Sequence, residues 1–149
     1  MLQPDQNAAI TFGGRASKAT GTLAASTVPL FTVAGGQVAL MSIYGIVTVA
    51  VTVANSYKLQ HNPTVATGTT VDLCAATDIG TTDTPVGDVL SFTGAANASI
   101  TRGGAAESLR SHVVLTVGQI ESVSAGTDGN ITWVVRWVPL DTGATLVAA

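Results

Sequence analysis

The stretch Val38-Ala-Leu-Met-Ser-Ile-Tyr-Gly-Ile-Val-Thr-Val-Ala-Val-Thr-Val53 decides the fold of this chain. It is dominated by β-branched residues, which lose rotamer freedom in a helix but pack well on a pleated surface. Its side chains also alternate with the two-residue period of a strand. One face carries Ala39, Met41, Ile43, Gly45, Val47, Val49, Val51 and Val53 and reads as a core face. The other carries Val38, Leu40, Ser42, Tyr44, Ile46, Thr48, Ala50 and Thr52. That face is too apolar for free solvent and too hydroxylated for a tight core, so it reads as half-buried, with another subunit as one possible cover. Gly45 is the expected site of a bulge, since glycine inside a strand often marks one.

No Asp, Glu, Lys, Arg or His separates Lys18 from Lys58, so a membrane-spanning helix has to be considered. The apolar run falls short of the roughly 18 residues such a helix needs, contains Ser42, Thr48 and Thr52, lacks flanking cations and keeps the strand period. No membrane association is expected. Met1-Leu-Gln-Pro-Asp-Gln-Asn7 has neither the basic nor the apolar region of a secretory signal, which predicts a protein made and kept in the cytoplasm of the producing cell.

With 149 residues the chain has enough material for one domain with a sizeable core. Only 10% of its residues are charged, against about a quarter in ordinary soluble domains. A surface so poor in charge is weakly protected against association, and self-assembly or incorporation into a larger assembly is the economical expectation. The net charge of −3 and the scattering of Arg15, Lys18, Lys58, Arg102, Arg110 and Arg136 argue against a nucleic-acid partner, which needs clustered cations.

Residues 1–22 are polar and glycine-rich without sustained periodicity, and read as an extended N-terminal arm that orders on a partner. Residues 23–149 form the body. Short strands are expected at Val28–Val33, Val38–Val53, Ser56–Gln60, Val71–Cys74 and Val89–Thr93, with one helical turn at most over Ala105–Arg110. Ser111–Val117 and Ile131–Leu140 are expected to form a hairpin across Gly118–Asn130, in which Asp128-Gly129 is a favoured turn pair. The fold class is therefore all-β, an antiparallel sandwich or flattened barrel preceded by an extended arm.

A search for chemistry returns little. Trp133 and Trp137 share a strand face with Ile131, Val135 and Pro139 and read as core anchors, with a ligand-stacking platform as the alternative. Arg136, on the opposite face, is expected to bond a loop carboxylate or a neighbouring subunit. Asp72, Asp78, Asp83 and Asp88 lack the spacing of a calcium loop and read as turn formers, with cation binding left open. Gly13-Gly14-Arg15-Ala16-Ser17-Lys18 lacks the ending of a phosphate loop. The single Cys74 makes neither an internal disulfide nor a zinc site, and reads as a small buried hydrophobe; His61 and His112 are the only imidazoles that could activate it. No enzyme, metal or cofactor is expected.

The pattern from Ile46 through Lys58-Leu-Gln-His-Asn-Pro-Thr64, then Thr70-Val-Asp-Leu-Cys74 and Ile79, and finally Gly129-x3-Trp133-x3-Trp137-Val-Pro-Leu-Asp-Thr-Gly-Ala144, resembles small virion proteins encoded among the head genes of tailed bacteriophages. The resemblance covers roughly residues 43–144. It implies a capsid decoration or cement protein: β-rich, often trimeric, made in the host bacterial cytoplasm and bound to major capsid subunits on the outer surface of the virion. The alternative is a receptor- or glycan-binding head-fibre or tail-tip module, in which Trp133, Trp137 and Tyr44 would stack on sugars. A tail-tube subunit is a third reading. The expected contact residues with subunit or capsid are Arg15 and Lys18 of the arm and Ser42, Tyr44, Thr48 and Thr52 of the half-buried face.

Overall fold

The computed structural model describes residues 13–64, 68–106, 109 and 112–149. Its described residues contain twelve strands and no helix: β1 (Gly14–Ala19), β2 (Ser26–Ala34), β3 (Val38–Val49), β4 (Ser56–Pro63), β5 (Val71–Asp72), β6 (Thr77–Asp78), β7 (Val89–Ser91), β8 (Thr101–Gly103), β9 (Val113–Leu115), β10 (Gly118–Ser124), β11 (Asn130–Pro139) and β12 (Thr145–Ala148). They form two antiparallel sheets packed face to face and not closed into a barrel, so the sandwich alternative is the correct one. The first sheet runs β1-β11-β3-β7-β8, with β9 also on β3; the second runs β12-β2-β10-β4-β5, with β6 also on β4.

Val38–Val49 of the expected Val38–Val53 strand is β3, which lies centrally between β11 on one side and β7 and β9 on the other. Its predicted core face holds at Ala39, Ile43, Gly45, Val47 and Val51, all buried, and fails at Met41, Val49 and Val53. Gly45 is not a bulge: it stays in register with Trp133 and Leu90. The register slips instead at Met41 and Thr48, each an extra residue facing β11. An inserted residue reverses the alternation beyond it. Val38 and Leu40, expected on the half-buried face, are therefore core, while Met41 is half-buried and Val49 is exposed. What Gly45 supplies is room, because a Cβ there would stand 2.8 Å from Ile131 Cγ2 and 3.1 Å from the Trp133 ring.

Trp133 is the centre of the core. It is fully buried, stacked parallel to Tyr57 of the second sheet at 6.2 Å between ring centroids and tilted against Phe92 at 6.4 Å. Its Nε1 donates to the Tyr57 hydroxyl at 2.8 Å, so the deepest polar atoms of both rings are satisfied. Burial raises the Tyr57 phenol above its ordinary value and keeps it neutral.

Two further expectations change. The proposed hairpin does not exist: β9 pairs with β3, β11 pairs with β1 and β3, and the intervening β10 is the middle strand of the other sheet. The start of that hairpin at Ser111, and much of the helical turn over Ala105–Arg110, lie outside the described residues. Part of the expected arm belongs to the body. Gly14–Ala19 is β1, paired along its whole length with β11 as the edge of the first sheet, whereas residues 1–12 lie outside the described residues.

Candidate functional site

The register sorts the expected contact residues into two groups. Arg15, Arg136 and Ser42 form one cross-strand row, and Ser17, Val134 and Tyr44 form the next, on the face of the first sheet opposite Trp133, where Val134 is itself buried. Ser42 and Tyr44 are half-buried there and Arg15 is exposed. Lys18, Thr48 and Thr52 are elsewhere. Lys18 is in register with the inward Trp133, at the sheet edge, and its Nζ donates across the sandwich to the carbonyl of Ala149 at 2.6 Å. Thr48 Oγ1 donates to the Asn130 carbonyl at 3.2 Å.

Thr52 belongs to a clasp that sequence reasoning missed. Residues 50–55 carry the chain from β3 in one sheet to β4 in the other, where backbone pairing is limited to the Val51–Thr84 bridge and the Ile79 amide on the Asn55 carbonyl. The Asp128 carboxylate accepts from Thr52 N at 2.9 Å, Thr52 Oγ1 at 2.6 Å and Val53 N at 3.2 Å. Asp78 Oδ1 accepts from Asn55 N at 3.1 Å, Gly80 N at 2.9 Å and Thr81 N at 3.1 Å. The buried Asn55 Oδ1 takes Ser124 Oγ at 3.2 Å and the amides of Ala125 and Gly126, both at 3.0 Å. Hydrogen bonds to the charged form stabilise it. The Thr81 hydroxyl, then the Gly80 and Asn55 amides, hold the Asp78 carboxyl below its ordinary range; the Thr52 hydroxyl and then its amide do the same for Asp128.

Three other acids, Asp72, Glu121 and Asp141, also hold local partners, Asp141 accepting from the Gln37 amide at 2.7 Å. Asp72 pairs with Lys58 at 2.7 Å, and Glu121 accepts from Gln60 Nε2 at 2.7 Å and Asn62 Nδ2 at 3.0 Å on the outer face of the second sheet. Among the described residues no group of three or more His, Cys, Asp or Glu could hold a metal ion. Cys74 is buried, its thiol accepts from the Leu59 amide at 3.3 Å, and burial pushes its pKa up to about 11. That is the wrong direction for a thiolate nucleophile.

Trp133 has no surface to offer a ligand, and Trp137 is half-buried against the core. The exposed apolar groups lie elsewhere. Ile46, Val49, Val53 and Val86 are all exposed, Val86 at 64% and Val49 at 54%. Backbone bonds from Val47 to Gly87 and Asp88, and between Val51 and Thr84, bracket Val49 on one segment and Val86 on the other, which sets this apolar group at one end of the sandwich. The available signal in the sequence was Pro85-Val86-Gly87, an apolar residue placed in a turn. Comparisons with protein-family models, with curated proteins and with solved structures find no match to this chain.

Proposed function

We propose that this chain is a non-enzymatic virion structural protein that decorates the outer surface of a tailed-phage head and cements neighbouring major capsid subunits, with a homotrimer as the decorating unit. The observation that carries the reading is the exposed apolar end formed by Ile46, Val49, Val53 and Val86 on a chain with few charges. Exposed apolar side chains brought to one end of the fold from separate segments offer a contact surface, and here they sit on a body in which Asp78 and Asp128 hold the neighbouring crossover. The resemblance of residues 43–144 to phage head proteins supplies the kind of partner. A net charge of −3 favours the outside of a shell over the side facing packaged DNA. The receptor- or glycan-binding alternative is weakened because its stacking platform needed Trp133, which is fully buried.

Electron microscopy of particles with and without the protein tests this. Density on the outer head surface, together with DNA release at lower temperature from particles lacking the protein, is expected, because a ligand of the assembled lattice stabilises it by mass action. Density at the tail tip, or equal heat resistance of both particles, would overturn the reading. The arm is tested by removing residues 1–12, which leaves β1 in place; decoration should weaken while the far-ultraviolet spectrum of an all-β protein is unchanged.

A further inference from the structure

Charge is scarce on this chain, and nearly all of it is used internally. Among the described residues every Asp, Glu, Lys and Arg has a hydrogen bond or ion pair within the chain except Asp83, Asp88 and Arg15. These three make two patches. Asp83 is exposed and Asp88 half-buried, and they flank Pro85-Val86-Gly87, whose Val86 is the most exposed of the large hydrophobic side chains described. Arg15 is exposed on β1 and stands in register with Arg136 of β11. Like charges directly opposite across a strand pair are unfavourable, so this position gains from an added carboxylate even though Arg136 already has an interaction of its own.

The two patches cannot meet within one chain. Asp88 lies beside Val47, and Asp83 beside the Val51–Thr84 bridge, on the β7 side of β3. Arg15 is two strands away on the other side, level with Ser42. With about 3.3 Å per residue along a strand and about 4.8 Å between strands, the separation is on the order of 20 Å or more. Carboxylates without a partner at one place and a guanidinium without one at the other are complementary only between copies.

The geometry points to a head-to-tail contact between copies of this chain, in which the Asp83–Asp88 turn of one copy docks on Arg15 and the Ser42–Tyr44 surface of the next. The carboxylates meet the arginine row, and Val86 turns toward the half-buried Tyr44 ring on the same face. Because the contact joins unlike surfaces, it repeats from copy to copy and ends only where a ring closes. A ring of three is the decorating unit proposed above, and the number three rests on that reading. In such a ring every Asp83–Asp88 turn and every Arg15 is engaged, and Ile46, Val49 and Val53 remain for the lattice.

Sedimentation equilibrium of the full chain reads the contact directly. The unmodified protein should be trimeric and should dissociate more readily as salt is raised, because exposed charge pairs are screened. Arg15→Glu, and separately Asp83→Arg with Asp88→Arg, sets like charges against each other and should weaken each contact at least roughly tenfold. The three substitutions together exchange the signs of both patches and should restore the trimer, which neither misfolding nor a general change of charge would do. Two independent reversals keep the test intact if one variant fails to fold. A trimer indifferent to both reversals, or no recovery in the combined variant, would overturn the contact and leave the trimer standing. A monomer at the highest soluble concentration would overturn the contact and the trimer together, while the place of the protein on the head is read separately by microscopy. Loss of decoration by Arg15→Glu with the trimer intact would assign the arginine to the capsid instead.

Discussion

The middle of β3 and the crossover that follows it belong to one uncharged stretch of sequence, yet they are held by opposite means. Around Gly45 the backbone is fixed by packing, with Trp133 and Ile131 lying directly against a residue that has no side chain. From Thr52 to Ala54 the side chains are exposed, and the amides of Thr52, Val53 and Asn55 are taken up by Asp128 and Asp78. The difference shows where charge is needed in a charge-poor protein. A strand paired on both sides satisfies its own polar groups, whereas a chain passing between sheets does not.

The largest effect should come from the packed side. Trp133→Ala removes the stack on Tyr57 and Phe92 and leaves the Tyr57 hydroxyl without its donor; a loss of about 3–5 kcal/mol is expected from urea unfolding. Gly45→Val should cost about 1–3 kcal/mol by overpacking the same place from the other side. If Gly45→Val were neutral, the close approach of the ring to β3 would not be what fixes this strand.

On the crossover side Asn55→Ala strips three donors of their acceptor and should cost about 1–3 kcal/mol. Unfolding measured alongside Trp133→Ala will rank the two mechanisms directly. A cost for Asn55→Ala as large as that for Trp133→Ala would mean that the crossover, and not the core, limits stability.

The smallest effect is that of acid. Asp78 and Asp128 are held below the ordinary carboxylate value of 3.8 in the folded chain. Their contribution is complete at neutral pH, begins to fade as the unfolded carboxylates protonate near 3.8, and is lost as pH falls through the folded values. The urea midpoint should therefore drop between pH 6 and pH 3, and Asp128→Asn should flatten that decline. A decline of the same steepness in the variant would move the acid sensitivity to other carboxylates.

Much of the architecture was legible in the sequence because its strongest strands carry their own pattern. Val28–Val33 and Ser56–Gln60 sit within β2 and β4, and Trp133 is core. β10 was missed because its inward residues are Gly118, Ile120, Ser122 and Ser124, so only one apolar side chain marks the buried face. Those serines are inward for a polar reason, Ser122 toward the Tyr57 hydroxyl and Ser124 toward Asn55. β1, with Gly14, Arg15, Ser17 and Lys18, has the composition of a linker and becomes a strand only because β11 offers it a complete partner. Bulges leave no trace in composition, which is why Met41 and Val49 were read as core and Val38 and Leu40 as half-buried. The candidate site was less legible still, since the apolar end depends on segments distant in the chain.

The pairing of β1 with β11, Gly14 opposite Trp137 and Ala19 opposite Thr132, sets a timetable as well as a shape. Topologies built on such distant pairings fold slowly, typically in milliseconds to seconds. On the ribosome the delay is longer. At about 5–20 residues per second, β3 waits on the order of ten seconds after it is made before β11 follows. During that interval a strand-prone segment without a single charged side chain is exposed in the cell. Expression yield should therefore depend on temperature and chaperone supply more steeply than the stability of the finished sandwich would suggest.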